Sequence, residues 1–145
     1  MSANPSIFTR IINGEIPGRA VWRDELAFAM LDIRPLNRGH TLVIPLQQID
    51  QWTDLPASLA AHCFGVAHSI GAAQVAAFAP ARIGLVVAGF EVPHAHIHVV
   101  PTNTMGDLDF ASADTSPDPS DLDDVAQALR AALRADGHGS SVPGD

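Results

Sequence analysis

Residues 93–101 read Pro93-His94-Ala95-His96-Ile97-His98-Val99-Val100-Pro101, three histidines separated by single apolar residues. Side chains alternate faces along a strand, so this spacing lines His94, His96 and His98 on one face and turns Ala95, Ile97 and Val99 to the other. Three imidazoles in so apolar a run would each need a buried hydrogen-bond partner, which makes a purely structural role a poor account of them. One chemistry open to them is metal binding, because neutral imidazole is a zinc ligand and an adjacent pair could chelate. All three sharing one ion would require a bulge, since same-face neighbours lie about 7 Å apart along a strand. The other is phosphoryl chemistry, where imidazole acts as nucleophile, proton donor or, once protonated, as a cation for phosphoryl oxygens.

Composition narrows the choice. The chain has 145 residues, 47% hydrophobic against 17% charged, enough for one domain with a packed core. All 8 basic residues are Arg, and Lys and Tyr are absent, which removes Schiff-base chemistry, Walker-type phosphate loops and tyrosine acids. The net charge of −8 is uneven: residues 1–102 hold 7 acidic and 6 basic side chains, residues 103–145 hold 9 and 2. The arginines of the body are scattered, which argues against an extended nucleic-acid partner and leaves a small anionic ligand. Cys63 is the only cysteine, so neither a disulfide framework nor a cysteine-based zinc ribbon can form within the chain. The N-terminus lacks a basic segment leading into an apolar stretch, and no apolar run approaches the roughly 20 residues that span a bilayer. The expectation is a soluble, cytoplasmic protein with no membrane partner.

The elements that must position the histidines are readable from capping and periodicity. Ser6 caps a short helix carrying Ile7, Phe8, Ile11 and Ile12, which Asn13-Gly14 stops. Ala20–Arg23, a turn at Asp24-Glu25 and Leu26–Asp32 read as a hairpin, followed by a loop and a β-rich run at His40–Pro45. Asp54 and Pro56 open a long helix ending near Pro80, with Leu59, Cys63, Val66, Ile70, Ala73 and Ala77 as its buried stripe. Arg82–Ala88 and Val92–Val100 read as two further strands. Residues 103–119 are polar, Ser120 caps a helix over Asp121–Arg134, and residues 135–145 read as disordered. The order predicts an α+β fold with an antiparallel sheet of about five strands. A carboxylate at Asp32, between Leu31 and Ile33, is out of place in a core strand and reads either as a ligand contact or as a turn residue. Arg34 and Arg38 flank the following loop, where they either reach a phosphate or face solvent. His62, His68 and His138 carry no signal beyond ordinary surface or helix-edge positions.

Together, Ser6-Ile7-Phe8 with Ile11-Ile12 and Glu15-Ile16-Pro17, Leu31-Asp32-Ile33, Gly39-His40-Thr41-Leu42-Val43-Ile44-Pro45 and the three histidines resemble the histidine triad (HIT) proteins. Within them, the likeness is to the Hint-like branch of nucleotide hydrolases and phosphoramidases, and it runs from about Ser6 to Pro101. It implies a HIT-like α+β domain over residues 1–102, with 103–145 as an acidic C-terminal extension. It implies that His96 attacks the α-phosphorus of a purine nucleotide conjugate to give a nucleotidyl-histidine. His98 would donate a proton to the leaving group, His94 would orient His96, and His40 would complete the cluster. Ile7, Phe8, Ile11, Met30, Ile33 and Leu42 would wall the base and ribose, and Asp32 would accept from the ribose hydroxyls. The scheme calls for no metal or cofactor, and relatives of this branch pair as homodimers through the long helix and a sheet edge.

The sequence departs from the family pattern ahead of the triad, where the usual Asn is missing. Phe90 stands where many relatives carry Gln and Glu91 where they carry Ser or Thr, which would weaken two contacts to the phosphate. The zinc ligands of some bacterial relatives are also missing: the N-terminal region has no Cys, and Gln48 stands where a His is common. Two other readings therefore accompany the enzymatic one, a catalytically weak nucleotide-binding regulatory protein and a His-ligated metal enzyme.

Overall fold

Asp24 sets the first strand pairing. Its Oδ1 accepts from the backbone N–H groups of Leu26 and Ala27, each at 2.8 Å, and so closes the turn between β1 (Ala20–Arg23) and β2 (Ala27–Leu31). In the computed structural model, which describes residues 4–144, this hairpin begins a five-stranded antiparallel sheet. Its other strands are β3 (Thr41–Pro45), β4 (Arg82–Val86) and β5 (Ile97–Thr102), in the order β1-β2-β3-β5-β4. The helices are α1 (Ile7–Ile12), α2 (Ala57–Phe78) and α3 (Pro119–Ala135). Ser6 caps α1 as expected, its Oγ accepting from Thr9 N–H at 3.0 Å.

The period-two alternation of the strands divides the sheet into two faces. Ala27, Ala29, Leu31, Val43, Ile97 and Val99 pack under α2 and α3 in the main core. Phe28, Met30, Leu42 and Ile44 point the other way and gather Phe8 and Ile12 of α1 into a second cluster. His98 lies opposite Leu42 in the ladder and so shares that second face.

α2 begins later than the capping pattern predicts. Trp52–Asp54 form a 3-10 turn, and the helix starts at Ala57 because Leu55, preceding Pro56, is held extended. The buried stripe follows the expected residues through Ala73, but Ala77 is exposed. Gln74 takes the inward place instead, its Nε2 donating to the carbonyls of Gly39 and Val99 at 2.9 Å each. This buried amide ties α2 to the loop that delivers His40. Gly39 itself has φ +100°, and a Cβ there would lie 2.7 Å from the Phe78 ring. Gly39→Ala is expected to cost about 2–4 kcal/mol from left-handed strain plus overpacking, read as a lowered denaturant midpoint with an unchanged m-value.

The C-terminal extension completes the core. Leu122, Val125, Ala126, Leu129 and Leu133 of α3 are buried in the same cluster as α2. Asp118 rather than Ser120 caps the helix, with Pro119 in its first turn. The uneven charge distribution acquires a reason here, since Arg19 meets Asp123 at 2.7 Å and Arg38 meets Asp121 at 2.8 Å. Beyond α3, where disorder is expected, Gly139–Ser141 form a 3-10 turn, and the His138 ring lies 5.2 Å from that of Trp22. No helix among the described residues is long and apolar enough to cross a membrane.

Candidate active site

The regular strand begins at Ile97, not at Val92, so only His98 of the three histidines is placed by the sheet ladder. Pro45, at the end of β3, has no N–H to offer β5, and its carbonyl accepts from His94 Nε2 at 2.8 Å. The segment ahead of β5 finds other partners: Ala95 N–H donates to Ile49 O at 2.7 Å and His94 N–H to Val92 O at 2.8 Å. His94, His96 and His98 are nevertheless all buried, as is His40 at the start of β3.

Hydrogen bonds determine the tautomer of each ring. Leu36 N–H can only donate, so His40 Nδ1, at 3.0 Å, accepts. Neutral His40 then carries its proton on Nε2 and donates it to His98 Nδ1 at 2.9 Å. Neutral His98 in turn carries its proton on Nε2, a buried atom with no partner. Burial pushes the pKa of both rings down to about 4, and the neighbouring imidazoles reinforce the shift, so the neutral chain is the form present at neutral pH. His96 Nδ1 lies 2.7 Å from the backbone carbonyl of His94; a carbonyl only accepts, so Nδ1 donates and the Nε2 lone pair is free. His94 orients His96 through its main chain. Its own ring donates to Pro45 O and accepts from Ser6 Oγ at 2.7 Å, an arrangement that anchors α1 to the triad. Burial lowers its pKa as well.

The resulting centre presents a lone pair on His96 Nε2 beside an N–H on His98 Nε2, the two rings 4.9 Å apart between centroids. Phe8 packs edge-on against His96 and Phe110 of the extension edge-on against His98, each at 4.9 Å. Two carboxylates border the rings: Glu91 Oε2 lies 3.7 Å from His96 Nε2, and Asp32 Oδ2 lies 3.6 Å from His40 Nε2 and 4.0 Å from His98 Nδ1. Burial raises the Asp32 pKa, partly opposed by its hydrogen bond from Arg34 N–H and by His98. Among the described residues, two sets of donor atoms are close enough to hold a metal ion, Asp32-His40-His98 and Glu91-His96-His98. The first would have to break the His40–His98 hydrogen bond; the second is open. Gln48 uses both ends of its amide within the chain: its Oε1 accepts from Ser6 N–H and Thr9 Oγ1 while its Nε2 donates to Asn4 O. A cavity of about 250 Å³ lies between the 31–40 loop and the extension, lined by Asp32, Arg38, His40, Asp114 and Asp121 but by neither His96 nor His98.

The family model for the HIT domain matches residues 13–105. The chain belongs to the histidine triad family. It is 33% identical over 135 residues to the protein hit of Bacillus subtilis, covering 88% of this chain and 93% of that one. The adenylylsulfatase HINT3 of Arabidopsis thaliana is 32% identical over 103 residues, 68% of this chain and 52% of the plant protein. Among solved structures, a zinc-bound histidine triad family protein from Mycobacterium smegmatis superposes with a TM-score of 0.76 at 32% identity, covering 89% of this chain and 93% of the other. The α+β fold expected of a HIT protein is the fold observed.

Of the residues singled out from sequence, His40, His96 and His98 converge on one centre, with the His94 carbonyl behind it. Phe8, Met30 and Leu42 are buried in the second cluster, and the partly buried Ile11 packs against it. Ile7 and Ile33 are exposed. Arg38 is held by both oxygens of Asp121, while Arg34 lies near enough to Asp32 for its charge to favour the carboxylate. Phe110 was not foreseen. A single aromatic in an acidic run was its only signal, and its partner lies on another element.

Proposed function

We propose that this HIT protein hydrolyses purine nucleotide conjugates at the α-phosphate through a nucleotidyl-histidine on His96. The observation that supports this most directly is the pair of ring atoms left over by the hydrogen-bond chain, a nucleophilic lone pair beside a donor N–H. His96 Nε2 forms a bond to phosphorus while the bond to the leaving group breaks, its electron pair going to the departing atom. His98 Nε2–H donates a hydrogen bond to that atom as its charge develops, and the leaving group departs with a proton taken from solvent. Water then displaces His96 from phosphorus and gives a proton back to solvent, releasing a nucleoside monophosphate. The hydrolase activity named for HINT3 supports the reaction class. Rapid quenching with labelled substrate is expected to trap an acid-labile nucleotidyl adduct on the protein. Turnover without any such adduct would overturn the covalent route.

Asp32 Oδ1 accepts from Arg34 N–H at 2.9 Å, a turn bond that leaves Oδ2 for the ribose hydroxyls. Asp32→Asn preserves the turn acceptor and removes a charge-assisted bond of roughly 1.5–3 kcal/mol. It should therefore weaken ribonucleotides about tenfold or more and their 2′,3′-dideoxy analogues little. Equal losses in titration calorimetry would assign Asp32 to the turn alone. The apolar wall for the base is the Phe8, Ile11, Met30 and Leu42 cluster with exposed Ile7 and Ile33 at its rim. A homodimer belongs to the same proposal, supported by the β4 edge with exposed Leu85 and by Phe64 and Val75, exposed on one face of α2.

A further inference from the structure

Glu91 is the residue nearest the attacking atom that the scheme above leaves without a part. Its side chain is 46% exposed, its Oε2 lies 3.7 Å from His96 Nε2, and a carboxylate oxygen comes within 4.8 Å of ring nitrogens of both His96 and His98. It therefore borders both the nucleophile and the donor to the leaving group. Asp32 adds a second carboxylate on the far side of His98. The charges that could offset them are few: Arg34 acts on Asp32 rather than on Glu91, Arg38 is held by Asp121, and the His40 and His98 rings are neutral at neutral pH. Only a phosphoryl group of low charge, attached to a leaving group that adds none, enters such a centre without accumulating repulsion.

We infer that Glu91 is a charge filter at the reaction centre, selecting conjugates whose leaving group is an amine against those whose leaving group is polyanionic, and expelling the nucleoside monophosphate product. This inference rests on the proposed nucleotidyl transfer. The α-phosphoryl group of a phosphoramidate carries one negative charge, and an ammonium elsewhere on the amine is attracted to Glu91. A polyphosphate brings several negative charges to the same carboxylate. The product differs from the substrate in the same sense: once freed, its phosphate carries close to two charges at neutral pH, since the second ionisation falls near pH 6. Ground-state repulsion then acts on the product more than on the substrate. The filter would set this chain apart from a hydrolase of adenylylsulfate, whose leaving group is an anion. Phe90, next to Glu91 in the chain and 96% exposed, adds no opposing charge.

The test compares wild type and Glu91→Gln on two substrates that share the adenosine 5′-phosphoryl half, the phosphoramidate of an alkyl diamine and diadenosine tetraphosphate. Wild type is expected to prefer the diamine conjugate in kcat/KM, and Glu91→Gln to reduce that preference about tenfold, an effect that shrinks as salt rises. Calorimetric affinity for AMP, which requires no turnover, is expected to tighten about three- to tenfold in the variant. Wild-type preference for the tetraphosphate, an unchanged substrate ratio, or an unchanged AMP affinity in Glu91→Gln would each overturn the filter. Absence of turnover on both conjugates would instead overturn the catalytic reading, while the AMP titration still decides the role of Glu91.

Discussion

Replacing His96 with Ala or Gly is expected to lower turnover by about 10⁴-fold or more while nucleotide affinity stays within a few-fold of wild type. The size of the loss follows from the hydrogen-bond chain. The His94 carbonyl accepts a hydrogen bond from His96 Nδ1–H, so the ring presents one lone pair, and it is the one beside the His98 donor. His40 and His98 cannot substitute for it, because each uses both ring nitrogens or offers only an N–H. Binding is expected to be spared because the proposed base wall of Phe8, Met30 and Leu42 and the proposed ribose contact at Asp32 keep their side chains. Purified variants freed of phosphatases, assayed with a phosphoramidate and titrated with AMP, give both readouts. Robust turnover by His96→Ala would return the triad to a binding or metal-ligating role.

The second large effect is on stability in acid. The His40 and His98 pKa values stand near 4 in the folded protein against 6.5 in an unfolded chain, so the unfolded state takes up protons that the folded state refuses. Stability is therefore complete above about pH 6.5 and falls as the pH drops towards 4, at a cost of about 3 kcal/mol for one such ring. His94, shifted in the same direction, adds to the loss. Asp32 opposes it, because burial raises its pKa, but its contribution changes nearer the carboxylate range. Urea unfolding at pH 7.5, 6 and 5 should show a steadily lower midpoint. An unchanged midpoint between pH 7.5 and 5 would mean that these rings are not held neutral by burial.

Much of this was legible in the sequence because it depends on neighbours along the chain. The Asp24 turn, the alternation of the strands, the stripe from Leu59 to Ala73 and the Ser6 cap involve residues within a few positions of one another, where steric and capping preferences act. The same locality accounts for the errors. Leu55 before Pro56 delays α2, and Pro45, lacking an N–H, delays β5 until Ile97, although each residue type was in plain view. Alternation put three histidines on one strand face, whereas His94 and His96 reach the site through a segment tied to the Ile49 and Pro45 carbonyls.

The sequence by itself determined the family, the α+β architecture and the identity of the four histidines, since these rest on residue types at set spacings. Only the tertiary structure decided which nitrogen of each ring is free. That depends on His98 meeting His40 across 58 residues of sequence and on His94 meeting Ser6 across 88. It also decided that Glu91 faces His96 Nε2, that Phe110 packs on His98, and that the acidic extension completes the core with its aspartates paired to Arg19 and Arg38. Tautomer, charge environment and burial are properties of groups brought together by packing, and no spacing along one chain specifies them.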